Sequence, residues 1–550
     1  MNDQKRFVIA IVLIMAILGV YSLTTPPKKT LTNKTIEAVS SVASSEPRSK
    51  QRAAEKKLES PQKNEEMVEI QTAFLKAEIS TASAAINKLW IKNAADDSLS
   101  EKPLLMSDAS GLKTLELILM NSDDEIQAYK VSERAEGEIA LVARTTNGLE
   151  IEKRYIFSNS NYDIHLCVTF LNKSKSDKIF SYNLAAATNL QFSSVLDKRF
   201  LNVGSYDGKN LIWIKPKDAT KAAKAGEVYD FSKNPKWAIL RNTHSSTIIK
   251  PYQKIGYAYL SWEKGVSKEQ DNWSLGVNVD SIVIAPGAEI IHEYLLYAGP
   301  TMEEYLSPLG LGEAVNYGKL DVVCKLLIKV LTYFYDVTGS YGLSIIFLVI
   351  VINIFTYPLT YKNVKSMRNM QSVQPHMTKL RETHKGDQKR IQSEMMKLYK
   401  ENNVNPMGGC LPMILQMPIF ISLYVTLARS PMLKGSNFLW IKDLSLPDAL
   451  FLFPKTLPIL GDSFNLLPIL MMLAMVIQQK ISMSARSAGE RSPQEEQQQK
   501  MMIMMPVVFG FIFYSLPSGL VLYWTVNTAL MAVAHYLIQK QLENKTAVIV

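Results

Sequence analysis

Hydrophobic and polar positions follow two different rhythms along this chain. Between Val68 and Pro300 the period is two: Ile164, Leu166, Val168 and Phe170 alternate with His165, Cys167 and Thr169, as in a strand with one buried face. Asn147-Gly148 separates the runs 139–144 and 149–157 and predicts a type I′ hairpin, because both residues tolerate positive φ. Asp207-Gly208 and Pro286-Gly287 mark further turns. Many short strands punctuated in this way predict a β-sandwich over 67–305. Beyond it the pattern changes to long apolar segments at 341–359, 410–428, 464–477, 501–517 and 519–538. These predict a five-helix membrane core over 341–540, with the third and fourth segments short for a hydrocarbon layer of about 30 Å. Pro412, Pro418, Pro468 and Pro506 lie inside the segments, where neighbouring helices re-satisfy the freed backbone groups.

Three flanking regions complete the outline. Lys5 and Arg6 precede an apolar run from Phe7 to Leu23, and no small-x-small cleavage site follows, so 1–23 reads as an uncleaved anchor rather than a signal peptide. Residues 24–66, rich in Ser, Lys, Glu, Thr and Pro, read as a flexible linker. Within 310–338, Leu320, Val323, Leu327, Val330 and Phe334 step by three and four along one stripe, and Asp321, Lys325 and Lys329 occupy another face. This predicts an amphipathic helix lying in the membrane interface. Residues 361–404 predict a helical hairpin, 362–383 and 388–402 around Gly386-Asp387, ended by Pro406. A short tail, 541–550, closes the chain.

The composition fits this division. The chain has 550 residues, 47% hydrophobic, with 61 Lys and Arg against 51 Asp and Glu. Eighteen of its 24 methionines fall in 341–540, which excludes a fully soluble protein. Segment 361–409 holds ten basic and four acidic residues, so it belongs in the cytoplasm. Five spans and an anchor then put both termini in the cytoplasm and the sandwich outside it. Cys167, Cys324 and Cys410 are too few and too dispersed for a disulfide framework or a structural zinc site.

Candidate chemistry is sparse. The six histidines are scattered, and no phosphate loop, GxSxG elbow or HExxH motif occurs, so neither an enzyme nor a cofactor is expected. Apart from His535, the spans carry no ionisable acid or base, which argues against an ion-coupled transporter or channel, the first rival reading. A membrane-anchored sensor is the second. The polar residues in the spans include Asn353, Thr356, Gln416, Ser422, Tyr523 and Asn527, with Trp524 beside them. They fit either interhelical hydrogen bonding or the lining of a wet cavity.

Several motifs occur in order: Tyr-Pro-Leu-Thr at 357–360, Gly-Asp-Gln-Lys-Arg at 386–390, Asn-Pro-Met-Gly-Gly-Cys at 405–410, Gln-Met-Pro-Ile-Phe at 416–420, Phe-Leu-Trp-Ile at 438–441 and Pro-Ser-Gly-Leu-Val-Leu-Tyr at 517–523. Over about 310–540 the chain resembles the YidC family of bacterial membrane protein insertases, in the Gram-negative form with a large periplasmic domain. The resemblance implies a polytopic α-helical membrane protein of the cell inner membrane, with an N-terminal anchor plus a five-helix core, a periplasmic β-sandwich domain and a cytoplasmic helical hairpin. It also implies insertion and chaperoning of membrane proteins through a hydrophilic groove, alone or with the Sec translocon. Asn353, Thr356, Gln416, Ser422, Tyr523, Trp524 and Asn527 are then the groove residues. The implied partners are nascent integral membrane proteins, the Sec translocon, the lipid bilayer, and the ribosome or signal recognition machinery at the hairpin; the protein itself is expected to be a monomer. Two departures stand out. The family pattern places an arginine in the first core span just before Tyr-Pro-Leu, where this chain has Asn353, and the tail after His535 has only Lys540 and Lys545.

Overall fold

The computed structural model describes residues 65–92, 99–100, 102–106, 112–121, 124–188, 190, 201–214, 218, 228–264, 271–384, 387–401, 411–457, 461–484 and 504–547. The anchor, nearly all of the linker, the Asn-Pro-Met-Gly-Gly-Cys motif and the end of the tail lie outside these residues. The chain divides into two compact units, 1–316 and 317–550.

The first unit is built from antiparallel sheets. One has nine strands in the spatial order 211–214, 202–206, 237–241, 245–251, 289–300, 163–172, 149–157, 138–144 and 130–135. A second has five, in the order 228–233, 257–264, 271–284, 178–188 and 116–120. Phe170 on the nine-stranded sheet packs on Phe180 and Tyr182 of the other at ring distances of 5.1 and 5.2 Å, so the two sheets face one another as a sandwich. The strand at Asp163–Asn172 buries Ile164, Leu166, Val168 and Phe170 and turns His165, Cys167 and Thr169 outward, as its alternation requires.

A smaller sheet, Met67–Gln71, Leu75–Ser80, Ala85–Ile91 and Leu105–Met106, completes the unit. Lys153 joins it to the sandwich. Lys153 stands in the inward register of Leu149–Phe157, between buried Ile151 and Tyr155, and is itself fully buried. Its Nζ donates to the carbonyls of Ala84 and, at 2.5 Å, Leu115. These two residues hold left-handed backbones, with φ of 45° and 60°. Such conformations are costly for residues other than glycine, and the hydrogen bonds to their carbonyls help hold them. Tyr155 Oη also donates to Ala84 O, at 2.5 Å.

The turn at Asn147-Gly148 is not type I′. Only Gly148 has positive φ, +89°, and its N–H closes a four-residue turn onto Thr145 O. The loop is longer than the dipeptide alone suggests, because Thr145 rather than Thr146 makes the closing bonds with Leu149 and Gly148.

The second unit is helical. Its elements are α1 (Asp321–Thr338), α2 (Tyr341–Thr383), α3 (Gln388–Glu401), α4 (Leu411–Arg429), α5 (Leu466–Ser484), α6 (Met504–Phe513) and α7 (Ser518–Ala547). Three departures from the sequence reading have physical causes. First, α1 begins at Asp321 rather than near 310, because Leu311, Ala314 and Val315 are buried in the first unit and Gly310 and Gly318 hold positive φ. Its packed face runs through Cys324, Leu327 and Leu331, leaving Val323 exposed along with Val322, Leu326, Tyr333 and Val337. Second, the first apolar segment and the first arm of the hairpin form one helix of 43 residues, uninterrupted at Pro358. Third, α5 runs on through Gln478, Gln479 and Lys480 to Ser484, although its apolar stretch, Leu466–Ser482, stays short as the sequence predicts.

Outside the polar arm and helix at 361–401, the outward surface of this unit is largely apolar. Ile354 and Phe355 on α2, Leu473 and Ile477 on α5, Val507 and Phe511 on α6 and Val533 and Leu537 on α7 are exposed. Polar side chains instead lie between helices. This inverts the pattern of a water-soluble bundle and suits a bundle solvated by lipid. Among the described residues, α2 and α7 contain stretches long and apolar enough to cross a bilayer, Tyr341–Met370 and Ser518–Leu542.

Candidate functional site

The polar residues of the spans converge where α2, α4 and α7 meet. Asn353 lies twelve residues beyond Tyr341, about 18 Å along α2; Asn527 lies nine beyond Ser518, about 14 Å along α7; Gln416 lies thirteen before Arg429, about 20 Å along α4. These offsets from the same end of the bundle bring three amides to similar depth. Asn353 Nδ2 donates to Asn527 Oδ1 at 2.9 Å and to Val349 O at 2.9 Å. Gln416 Nε2 donates to Tyr523 Oη at 3.0 Å. All three amides are half-buried, whereas Tyr523 is fully enclosed.

An amide has two donors and two acceptor lone pairs, so these bonds do not exhaust it. Asn527 Nδ2 and Asn353 Oδ1 remain outside the pair. The cluster can therefore hold a hydrogen-bonding guest, water or peptide, without placing a fixed charge in low-dielectric surroundings.

The other candidates sit differently. Thr356 is half-buried and returns its hydroxyl to Ile352 O at 2.9 Å and to Asn353 O at 3.3 Å, so it flanks the amides along α2. Trp524 belongs to an aromatic group with Phe420, Phe509 and Phe513, at ring distances of 4.9, 5.7 and 5.2 Å, which packs α4, α6 and α7 together. Ser422 is not brought to the amides. It is buried, donates to Pro418 O, and its own carbonyl accepts from Cys324 Sγ at 3.6 Å, which places it in the α1–α4 contact. A second polar layer lay beyond the sequence reading: Ser482 Oγ lies 3.2 Å from His535 Nδ1, and Gln539 Nε2 donates to Ile481 O at 3.4 Å. His535 was the one ionisable side chain in the spans, and that was the signal for it. Among the described residues no group of His, Cys, Asp or Glu is arranged to hold a metal ion.

At the end of the bundle where α2, α5 and α7 begin, one carboxylate organises the connection between α4 and α5. Asp448 is buried, and its Oδ2 accepts from Leu466 N, Leu467 N and Trp440 Nε1 at 2.8, 2.9 and 3.1 Å. It caps α5 from a distant position, where the partial positive charge of a helix start favours an anion. Ser518 N and Gly519 N donate to Leu446 O and Leu444 O, tying the same connection to the start of α7.

Residues 333–545 match the family model described as 60Kd inner membrane protein, and residues 67–330 match that of the YidC periplasmic domain. The membrane protein insertase YidC of Cupriavidus necator is 30% identical over 504 residues, covering 88% of this chain and 85% of that protein. The membrane protein insertase YidC of Geotalea uraniireducens is 29% identical over 574 residues, 98% of this chain and 99% of its own. Among solved structures, an active YidC insertase with its first transmembrane domain resolved aligns with 96% of this chain and 98% of its own, at 17% identity and a TM-score of 0.36.

Proposed function

The chain belongs to the YidC family of membrane protein insertases, inner membrane proteins with a periplasmic domain and a helical core, and we propose that it inserts its clients through the amide cluster of α2, α4 and α7. The observation that carries this reading is the pairing of Asn353 with Asn527 and of Gln416 with Tyr523, half-buried in a bundle with an apolar outer face. A client's hydrophilic end pays heavily to cross bare hydrocarbon, and amides that hold water partway through shorten that crossing. The client's apolar segment then partitions into lipid, driven by the hydrophobic effect. Nothing in this scheme breaks a covalent bond, and it draws on no cofactor.

The proposal extends to topology. Residues 1–23 anchor the chain, both termini and the 361–404 hairpin lie in the cytoplasm, and the sandwich lies in the periplasm, consistent with ten basic residues in 361–409. Five spans form the core, and α1 rests at the interface with Val322, Leu326, Tyr333 and Val337 toward lipid. The partners are nascent integral membrane proteins and the Sec translocon, with the ribosome or signal recognition machinery meeting the basic hairpin, and the insertase acts as a monomer.

The test is Asn353→Leu against Asn353→Gln in cells depleted of their own insertase. Leucine keeps the span apolar but removes both hydrogen bonds, so insertion of a single-span client falls sharply, while glutamine retains part of it. Equal insertion by the leucine variant and the parent overturns the proposal.

A further inference from the structure

The connection from Ser430 to Asn465 carries a surface that the insertion mechanism does not use. Leu439 is 75% exposed and Leu452 71%, and Leu446, Leu450 and Phe451 are exposed beside them. A loop with this composition would ordinarily fold its leucines inward. Here the backbone prevents it. Phe438 and Ile441 exchange backbone hydrogen bonds, Leu444 N donates to Ser436 O, Asp448 accepts from Trp440 Nε1, Ser518 Oγ donates to Asp443 O, and 450–452 pair with 463–464. Leu439 also holds φ of +52°, a conformation disfavoured for a bulky side chain. Strain retained at a residue whose side chain packs on little of its own unit points to a role outside that unit.

The location identifies the occupant. The connection leaves the end of α4 and enters the start of α5; Phe438 lies directly against Gly342 at the start of α2; and Leu444 and Leu446 bond the start of α7. Four spans therefore terminate at this level, and the apolar outer faces of those spans continue up to it. α1 joins α2 through Gly339 and Ser340 at the same end, with its own apolar residues exposed. Lys434 and Lys442, both exposed, supply positive charge on the same connection. Apolar side chains held rigidly where a bundle leaves the hydrocarbon, with lysines nearby, match a lipid headgroup boundary.

We propose that the segment 438–452 is an interfacial wedge, seated in the leaflet opposite the hairpin 361–404, with Leu439, Leu450, Phe451 and Leu452 in the upper acyl region and Lys434 and Lys442 among anionic headgroups. It fixes the depth of the bundle at the end remote from the client's entry.

The test uses the full chain with its three cysteines replaced and a single cysteine at Leu439 or, independently, Leu452, labelled with an environment-sensitive fluorophore. Proteoliposomes of phosphatidylethanolamine and phosphatidylglycerol carry nitroxides either near the top of the acyl chain or on the headgroup. The label at both sites is quenched more by the acyl-chain nitroxide than by the headgroup nitroxide and is shielded from aqueous iodide. A label at Lys209, on an exposed turn of the sandwich, is quenched by iodide and not by lipid. Labels at 439 and 452 as open to iodide as the one at 209 overturn the proposal. Shielding from iodide without quenching by lipid overturns it too, because it identifies a protein, such as a second copy of the chain, as the occupant.

Discussion

Asn353, half-buried, and Lys153, fully buried, are both polar side chains set among apolar neighbours, and they show opposite degrees of legibility. Asn353 is visible as a polar residue in an apolar run, and its partner Asn527 is visible in the same way, but nothing in the sequence pairs them across 174 positions. Gln416 and Tyr523 are likewise separate until α4 and α7 are placed together. Replacing Gln416 by leucine leaves the Tyr523 hydroxyl enclosed without its partner. We expect a loss of about 1–2 kcal/mol in bundle stability, measurable by unfolding in mixed micelles, together with reduced client insertion. No motif marks Lys153, although its place between Ile151 and Tyr155 in the inward register is a readable signal. Burial pushes its ammonium down to about 7, against a weaker opposing pull from Glu116. The unfolded chain then binds the proton more tightly than the folded one. Stability tied to this lysine is therefore lowest below pH 7, rises with pH above the folded value, and levels off in the ordinary lysine range. Lys153→Met removes that slope. Hydrogen exchange of 149–157 in the full chain, followed from pH 7 to pH 10 in parent and variant, should show protection rising more steeply in the parent. Parallel profiles would contradict the assignment.

At the scale of elements, hydrophobic period located the sandwich strands and the apolar helices but not their ends. The apolar pattern predicts a break in the 43-residue α2 at the edge of its apolar run because polarity changes there, although helical hydrogen bonding does not. At about 1.5 Å per residue it extends some 65 Å, well past a hydrocarbon layer of about 30 Å. The predicted stripe on α1 shares Leu327 with the packed face but takes Val323 and Val330 where Cys324 and Leu331 are buried, because both faces of the helix are apolar, one for packing and one exposed. Asp448 was invisible for another reason: it caps a helix that begins eighteen residues later, whereas capping signals are read locally. Asp448→Ala removes that cap and leaves the Trp440 indole without its acceptor. We expect a cost of about 1–2 kcal/mol or more, seen as faster hydrogen exchange at Leu466 and Leu467. Gly342 gives a steric counterpart. A Cβ there would meet the Phe438 ring at 2.1 Å, so Gly342→Ala should displace the ring and raise protease sensitivity in 436–446, while leaving the sandwich unchanged.

For the whole molecule, charge distribution and apolar period together gave the division into a β unit and a helical unit, and the motifs gave the family. Asn353 is bonded to a second asparagine, Asn527, so this position offers no fixed charge to attract acidic client tails. Hydration carries the central claim instead. Its most direct measurement is site-specific photocrosslinking from Asn353 and Gln416 to a stalled single-span nascent chain in inner membrane vesicles, with Leu473, exposed on the outer face of α5, as the reference position. The account predicts adducts from Asn353 and Gln416 to the hydrophilic end of the client before its apolar segment has entered lipid. Adducts from Leu473 alone, or only after the client has fully inserted, would contradict it.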